Sequence, residues 1–166
     1  MATVSGARSG SRADVWRSLF RIGVGVYWLY FASQKWPAPL GVGPTHEIDW
    51  MHPLMVRAAA VNPVPLLHDA LTQLVLPNWQ VFAVLQAVGE TAVGVLLILG
   101  IATRPAALIG TLLALNLSLT VAFTDTDVGI RWLYYLPVLA TFEVFVNGSG
   151  SLAVDRARWV PGWLRS

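Results

Sequence analysis

The chain contains no cysteine. Disulfides, cysteine-ligated zinc, cysteine-held iron–sulfur clusters and a CxxC thiol relay are therefore excluded for it. Charge is scarce as well: Asp, Glu, Lys and Arg make up 12% of 166 residues, about half the share usual in soluble domains. Histidine is limited to His46, His52 and His68, and none of them falls in a long apolar run. A bis-histidine haem inside the apolar segments is thus unsupported, and no haem or Fe–S group is expected to be ligated by this chain. There is no P-loop, no dinucleotide fingerprint and no nucleophile constellation. The net charge of +2 is too small to argue for nucleic acid. His46, Glu47, Asp49 and His52 in "HEIDWMH" lack any recognised ligand spacing, so no metal is expected there.

What the chain has in abundance is apolar surface. It is 55% hydrophobic with eight tryptophans, and its mean hydropathy is +0.59. That composition points to an all-α integral membrane protein. Four segments are long enough to cross a hydrocarbon core, which takes about 20 apolar residues. They run over 15–36, 79–101, 105–123 and 128–146 of a single membrane domain, with a tail at 147–166. The first is too long for a signal-peptide core and reads as a retained helix. Tight connections, "ATR" and "TDTDVG", make the last three antiparallel neighbours in a four-helix bundle.

The remaining segment, 37–78, is long for a loop and is expected to hold structure. "HPLMVRAAAV" reads as a short helix that Asn62-Pro63 breaks. "PLLHDALTQLVLP" puts Leu66, Leu67, Ala70, Leu71, Leu74 and Val75 on one face. That is an amphipathic helix, either lying on the outer membrane face or capping the bundle, with the cap favoured.

Arginine placement sets the orientation. Arg8, Arg12, Arg17, Arg104, Arg156, Arg158 and Arg165 fall on one side of a four-span topology. The positive-inside rule then puts both chain ends in the cytoplasm, with the protein in the inner membrane of a prokaryote. Trp36, Trp50, Trp79, Trp132, Trp159 and Trp163 read as interfacial belt residues.

Polar residues inside the spans are few and carry the functional question. Glu90 interrupts "QAVGETAVGVLLILG" roughly 16 Å from either end of its helix. A midplane carboxylate is expensive and must be paired, hydrogen-bonded or protonated. Gln86, one turn earlier, and Asn116 in the third span are the expected partners. Gly23, Gly25, Gly89, Gly94 and Gly110 are expected to allow close helix approach. In the cytoplasmic half, Arg21 and Glu143 lie at similar depth and are expected to pair. On the outer side, Lys35 and Arg131, near Gln34 and Tyr134, form a cationic mouth. Each group also has a purely structural reading. Gln86, Glu90 and Asn116 serve equally as interhelical glue, and Lys35 and Arg131 as snorkelling helix ends.

The segment Leu74–Phe123 carries Leu76-Pro77-Asn78, Gly89-Glu90, Gly94, Leu99-Gly100, Thr103-Arg104 and Asn116. With "RIGVGVYWLYFASQKW" and "NGSGSLAVD" it resembles the DoxX-like family, nearest to the branch of the DoxD-type small subunit of thiosulfate:quinone oxidoreductase. Two places depart from the family pattern. Ala32 stands where a glycine is usual, and the arginine of the C-terminal turn is missing. The resemblance implies a four-helix membrane subunit working at the quinone pool, with Glu90, Asn116, Lys35 and Arg104 as the positions to watch.

Two functions follow. In one, the chain is a subunit of a quinone-linked oxidoreductase. Glu90 relays protons, Gln86 and Asn116 orient it, and Lys35, Arg131 and Tyr134 hold a quinone or anion. In the other, it is a non-catalytic accessory subunit of a larger membrane complex. Both imply lipid and other membrane subunits as partners. A small-solute transporter is the third and weakest reading.

Overall fold

The computed structural model describes residues 7–36 and 48–154, with side chains from Arg12 onward. His46, Glu47, Arg156, Arg158, Arg165, Trp159 and Trp163 lie outside the described residues, as does the side chain of Arg8. The described chain is helical throughout, with no strand. Its helices are α1 (Ala7–Ser33), α2 (Met51–Val61), α3 (Pro65–Ala70), α4 (Trp79–Leu99), α5 (Thr103–Thr120) and α6 (Val128–Asn147).

Three helices among the described residues are long and apolar enough to cross a membrane: Pro65–Leu99, Thr103–Thr124 and Val128–Asn147. α1 is 27 residues long, but it carries Arg8, Arg12, Asp14, Arg17 and Arg21. Those charges separate it from the other three by composition.

The stretch 65–78 is not a separate amphipathic helix. It runs on through a π-turn at Leu71–Val75 and a 3-10 turn at Leu76–Asn78 directly into α4, giving one 35-residue rod. Pro77 lacks the N–H that a continuing α-helix needs at that point. The chain absorbs the gap by changing hydrogen-bond step rather than by stopping. The break is felt at Asn78, with φ −120° and ψ 27°, whose side-chain amide donates to the Leu74 carbonyl at 3.0 Å.

α1, α4, α5 and α6 pack in a ring, each against the next, with α1 closing against α6. α1 and α4 run antiparallel at close range because Gly25 and Gly94 face each other. A Cβ on Gly25 would lie 2.9 Å from the Gly94 carbonyl oxygen, and one on Gly94 2.7 Å from Leu29. Gly110 does the same for α5, against Val93 and Thr141. Gly23 does not share this role: a Cβ there meets nothing within 4 Å. Two residues apart on a helix, Gly23 and Gly25 point to nearly opposite sides, so only one can face α4.

The α4–α5 connection turns on Gly100 and Ala102, both left-handed at φ 67° and 48°. Gly100 ends α4 in the usual manner of a glycine past the last turn. At the other end of the bundle, α2 packs over the turn that follows α5. Asn62 fastens it there. Its amide donates to the Leu119 carbonyl at 3.0 Å, and its side-chain oxygen accepts from the Val64 N–H at 3.0 Å.

Candidate functional site: a buried ion pair in an aromatic cavity

Lys35, in the turn just past the end of α1, folds back along the helix, so that its Nζ donates to the Phe31 carbonyl at 3.1 Å and to Glu90 Oε2 at 2.6 Å. The other Glu90 oxygen accepts from Gln86 Nε2 at 2.8 Å. Glu90 is 1% exposed and Lys35 7%, so this is a fully enclosed, hydrogen-bonded ion pair. Lys35 Nζ also lies 5.9 Å from the centre of the Trp50 ring, on its face. Trp36 braces the same level by donating to Thr91 Oγ1 at 2.9 Å.

Two expectations are corrected here. Asn116 is not a partner of Glu90, whose acceptors are taken by Lys35 and Gln86. Lys35 is not part of a cationic mouth, because its charge is turned inward and paired. The four-carbon stem of lysine lets a residue at the helix end deliver its ammonium about one turn back.

The pair forms part of the wall of a cavity of about 390 Å³. Tyr27, Trp28, Phe31, Trp50, Phe82 and Tyr134 supply aromatic surface. Met51, Leu54, Met55 and Ala58 of α2 line it, as do Leu71 and Val75 of the π-turn. Asn116 and Gln34 add polar groups. Its size falls in the range of small-molecule sites, and so does its make-up, an apolar shell with a few convergent polar groups. Most of α2 was read only as a helix on sequence grounds. Its role in walling the cavity is visible only once the chain is folded, although the Met51-x-x-Leu54-Met55-x-x-Ala58 spacing marks one apolar face.

Arg131 does not reach this cavity. Its Nε donates to the Asp125 carbonyl at 2.7 Å and so ties down the turn before α6. That turn is further held by Asp127, which caps α6 by accepting from the Gly129 N–H at 2.7 Å. Tyr134, one turn along, does reach the cavity.

The expected Arg21–Glu143 pair does not form. Glu143 accepts instead from the Asn147 amide of its own helix at 2.9 Å. Arg21, wholly buried, sits at the opposite end of the bundle from the cavity. Its guanidinium donates to the carbonyls of Leu97, Ile98, Ser149 and Leu152. These belong to the last turn of α4 and to the glycine-rich turn after α6. The C-terminal ends of helices present unpaired carbonyls and partial negative charge, and a five-donor fork satisfies several at once. The same turn is stitched to α1 by Ser18, which accepts from the Leu152 N–H at 2.9 Å. Gly150, at φ 72°, rests against α1 so closely that a Cβ would meet the Asp14 carbonyl at 2.6 Å. The Gly148-Ser149-Gly150 sequence was the signal that could have pointed to this contact.

No group of three or more potential metal ligands occurs among the described residues. No curated protein and no solved structure matches the chain. A family model does: that of DoxX, over residues 17–123, which takes in α1 from Arg17 onward, the cavity wall apart from its α6 residues, and the helices through α5. This multi-pass membrane protein therefore belongs to the DoxX family.

Proposed function

We propose that this chain is the quinone-binding membrane subunit of an oxidoreductase. α1 is its fourth span, and both chain ends lie on the cytoplasmic side of a prokaryotic inner membrane. The observation that carries the reading is the Lys35–Glu90–Gln86 cluster opening on an aromatic cavity of about 390 Å³. A quinone ring is flat and apolar on its faces, with carbonyl acceptors at its edge. The aromatic walls suit its faces, and Asn116, Tyr134 and Lys35 are donors suited to its edge. Bound there, a quinone takes up two electrons and two protons to become a quinol. The Glu90 carboxylate and the Lys35 ammonium, 2.6 Å apart in the cavity wall, are groups of the kind that general acid–base chemistry uses. The electrons come from a partner subunit, since this chain has no cysteine to hold a cluster. The likeness of its motifs to the DoxD-type subunit favours a reduced sulfur compound as their source.

Arg12, Arg17 and Arg104 are exposed at the end of the bundle where α4 turns into α5, which supports that end as cytoplasmic. The cavity then opens toward the outer half of the membrane. The test is Glu90→Gln in the assembled complex. Quinone reduction is expected to fall about a hundredfold or more, with the protein still folded and quinone still quenching the fluorescence of Trp28 and Trp50. Unchanged turnover with altered heat stability would instead favour the accessory-subunit reading, in which the ion pair only joins α1 to α4.

A further inference from the structure

A second hollow, of about 380 Å³, lies between α1 and α6. It is a side groove, and Phe20, Leu133 and Leu136 on its rim are all substantially exposed on the apolar flank of the bundle. Gly23 is part of its lining, and a Cβ there would meet nothing within 4 Å. The groove and the cavity have Tyr27, Leu133 and Pro137 in common, so these three residues are the partition between them. The partition has an unusual construction. Pro137, inside α6, has no N–H to give to the Leu133 carbonyl one turn back. The Tyr27 hydroxyl supplies the missing donor from α1, at 3.1 Å. A single side-chain hydrogen bond to a carbonyl that the helix itself cannot satisfy thus spans the gap where the two hollows meet.

Resting on the quinone reading of the cavity, we infer that this groove is the side passage through which the ligand's hydrocarbon tail leaves the bundle for the lipid, with Tyr27 as its latch. The occupant is the tail of a lipid-soluble quinone whose ring lies in the cavity. Three features argue for it: a shared wall of only three residues between groove and cavity, a lining whose one polar side-chain group is the Tyr27 hydroxyl, and exposed apolar residues at its outer rim. From Phe20 to Tyr27 the groove follows roughly 10 Å of α1. Lipid is as apolar as the groove, so the groove adds little attraction for a tail. Its effect is steric: it lets a tailed molecule seat its ring without folding the tail into the cavity.

The test uses the purified full-length chain in lipid nanodiscs and two probes, a decyl-substituted benzoquinone and the same ring without the tail. Binding is read from tryptophan quenching. In Gly23→Leu the decyl compound is expected to bind about tenfold more weakly or worse, since the tail overpacks the filled groove. The tail-free ring should keep its affinity within about twofold, which also reports that the variant is folded. Leu136→Trp, filling the groove from α6, should give the same split and serves if Gly23→Leu does not fold. Equal decyl affinity in wild type and in a folded groove-filled variant overturns the passage while leaving the cavity reading intact. So does loss of a co-purified phospholipid without any change in decyl binding. Failure of the wild-type chain to bind either quinone overturns the cavity reading, and the passage falls with it.

Discussion

Arg21 within α1 and Lys35 just past its end are both buried cations, and they are used in opposite ways. Arg21 is bound by main-chain carbonyls from the ends of two other helices. Lys35 is bound chiefly by one carboxylate in the wall of a cavity. Carbonyls cannot take up a proton or be exchanged by a side-chain substitution, so the Arg21 site is a fixed joint. It gathers α1, the end of α4 and the turn after α6 into one knot. A carboxylate can be neutralised, moved or given another partner, so the Lys35 site is adjustable. The residue types agree with this division. Arginine keeps its charge and offers a rigid fork of donors, whereas lysine is a flexible point charge that responds to its surroundings. One end of the bundle holds a buried cation on main-chain carbonyls, and the other holds one on a side-chain carboxylate.

The widest gap between the two sites should be seen on removing each charge. Arg21→Met leaves several buried carbonyls without donors, and the loss is expected to be on the order of 5 kcal/mol. In practice the variant should fail to give a monodisperse peak on size exclusion in mild detergent. Arg21→Lys should recover only part of the loss, because one ammonium cannot span acceptors on two helices. Lys35→Met is expected to cost about 3 kcal/mol by stranding Glu90, measured as a lowered thermal midpoint in detergent. The double variant Lys35→Met with Glu90→Leu should return most of that stability while abolishing quinone quenching. The carbonyls that Arg21 satisfies are main chain, so no second side-chain change can remove their demand for donors in Arg21→Met. A rescue there, or none at the Lys35 site, would erase the distinction between joint and reactive pair.

The same contrast explains what could be read from the chain before it was folded. Glu90 stands out against an apolar run, and helical spacing puts Gln86 beside it. The demand for a counter-charge was therefore visible. Lys35 as the answer was not, because it lies 55 positions away and reaches its partner only by doubling back along its own helix. Depth-matching of opposite charges paired Arg21 with Glu143, a sound rule that misses acceptors with no formal charge. Helix-end carbonyls leave no mark in a sequence except the glycines that shape the turns, here Gly100, Gly148 and Gly150. Periodicity grouped Leu66, Leu67, Ala70, Leu71, Leu74 and Val75 on one face, but only Leu67, Ala70, Leu71 and Val75 are even partly buried, while Leu66 and Leu74 are exposed. It could not show that Pro77 would be absorbed by a π-turn and a 3-10 turn, since those depend on where the rod is held by the rest of the fold. The family, by contrast, was legible from short motifs in α1, α4 and α5, which is where the DoxX match lies.

Gly150→Ala probes the fixed end more gently. The residue sits at φ 72°, and an added Cβ would press on the Asp14 carbonyl and the backbone of Ser18 at 2.6 Å. Left-handed strain and overpacking together should cost about 2 kcal/mol. Its effect should show as lower heat stability with unchanged quinone affinity, since the cavity is at the other end of the bundle.

The smallest expected effect is at the partition between cavity and groove, and it is the most diagnostic of how that wall is made. Tyr27→Phe removes the hydroxyl that donates to the Leu133 carbonyl and should cost about 1 kcal/mol. Pro137→Ala alone gives that carbonyl a helical N–H, so the Tyr27 hydroxyl becomes redundant as a donor. In the Pro137→Ala background, Tyr27→Phe should therefore cost much less than in the wild type, and the two effects should be non-additive by about 0.5 kcal/mol or more. Thermal unfolding of the four proteins in one detergent closes the cycle. Additive effects would mean that Tyr27 and Pro137 act independently, with Tyr27 holding α1 to α6 by packing alone. Coupling would establish that the kink in α6 and the hydroxyl on α1 form one device, a helix left deliberately one hydrogen bond short so that its neighbour can fasten to it.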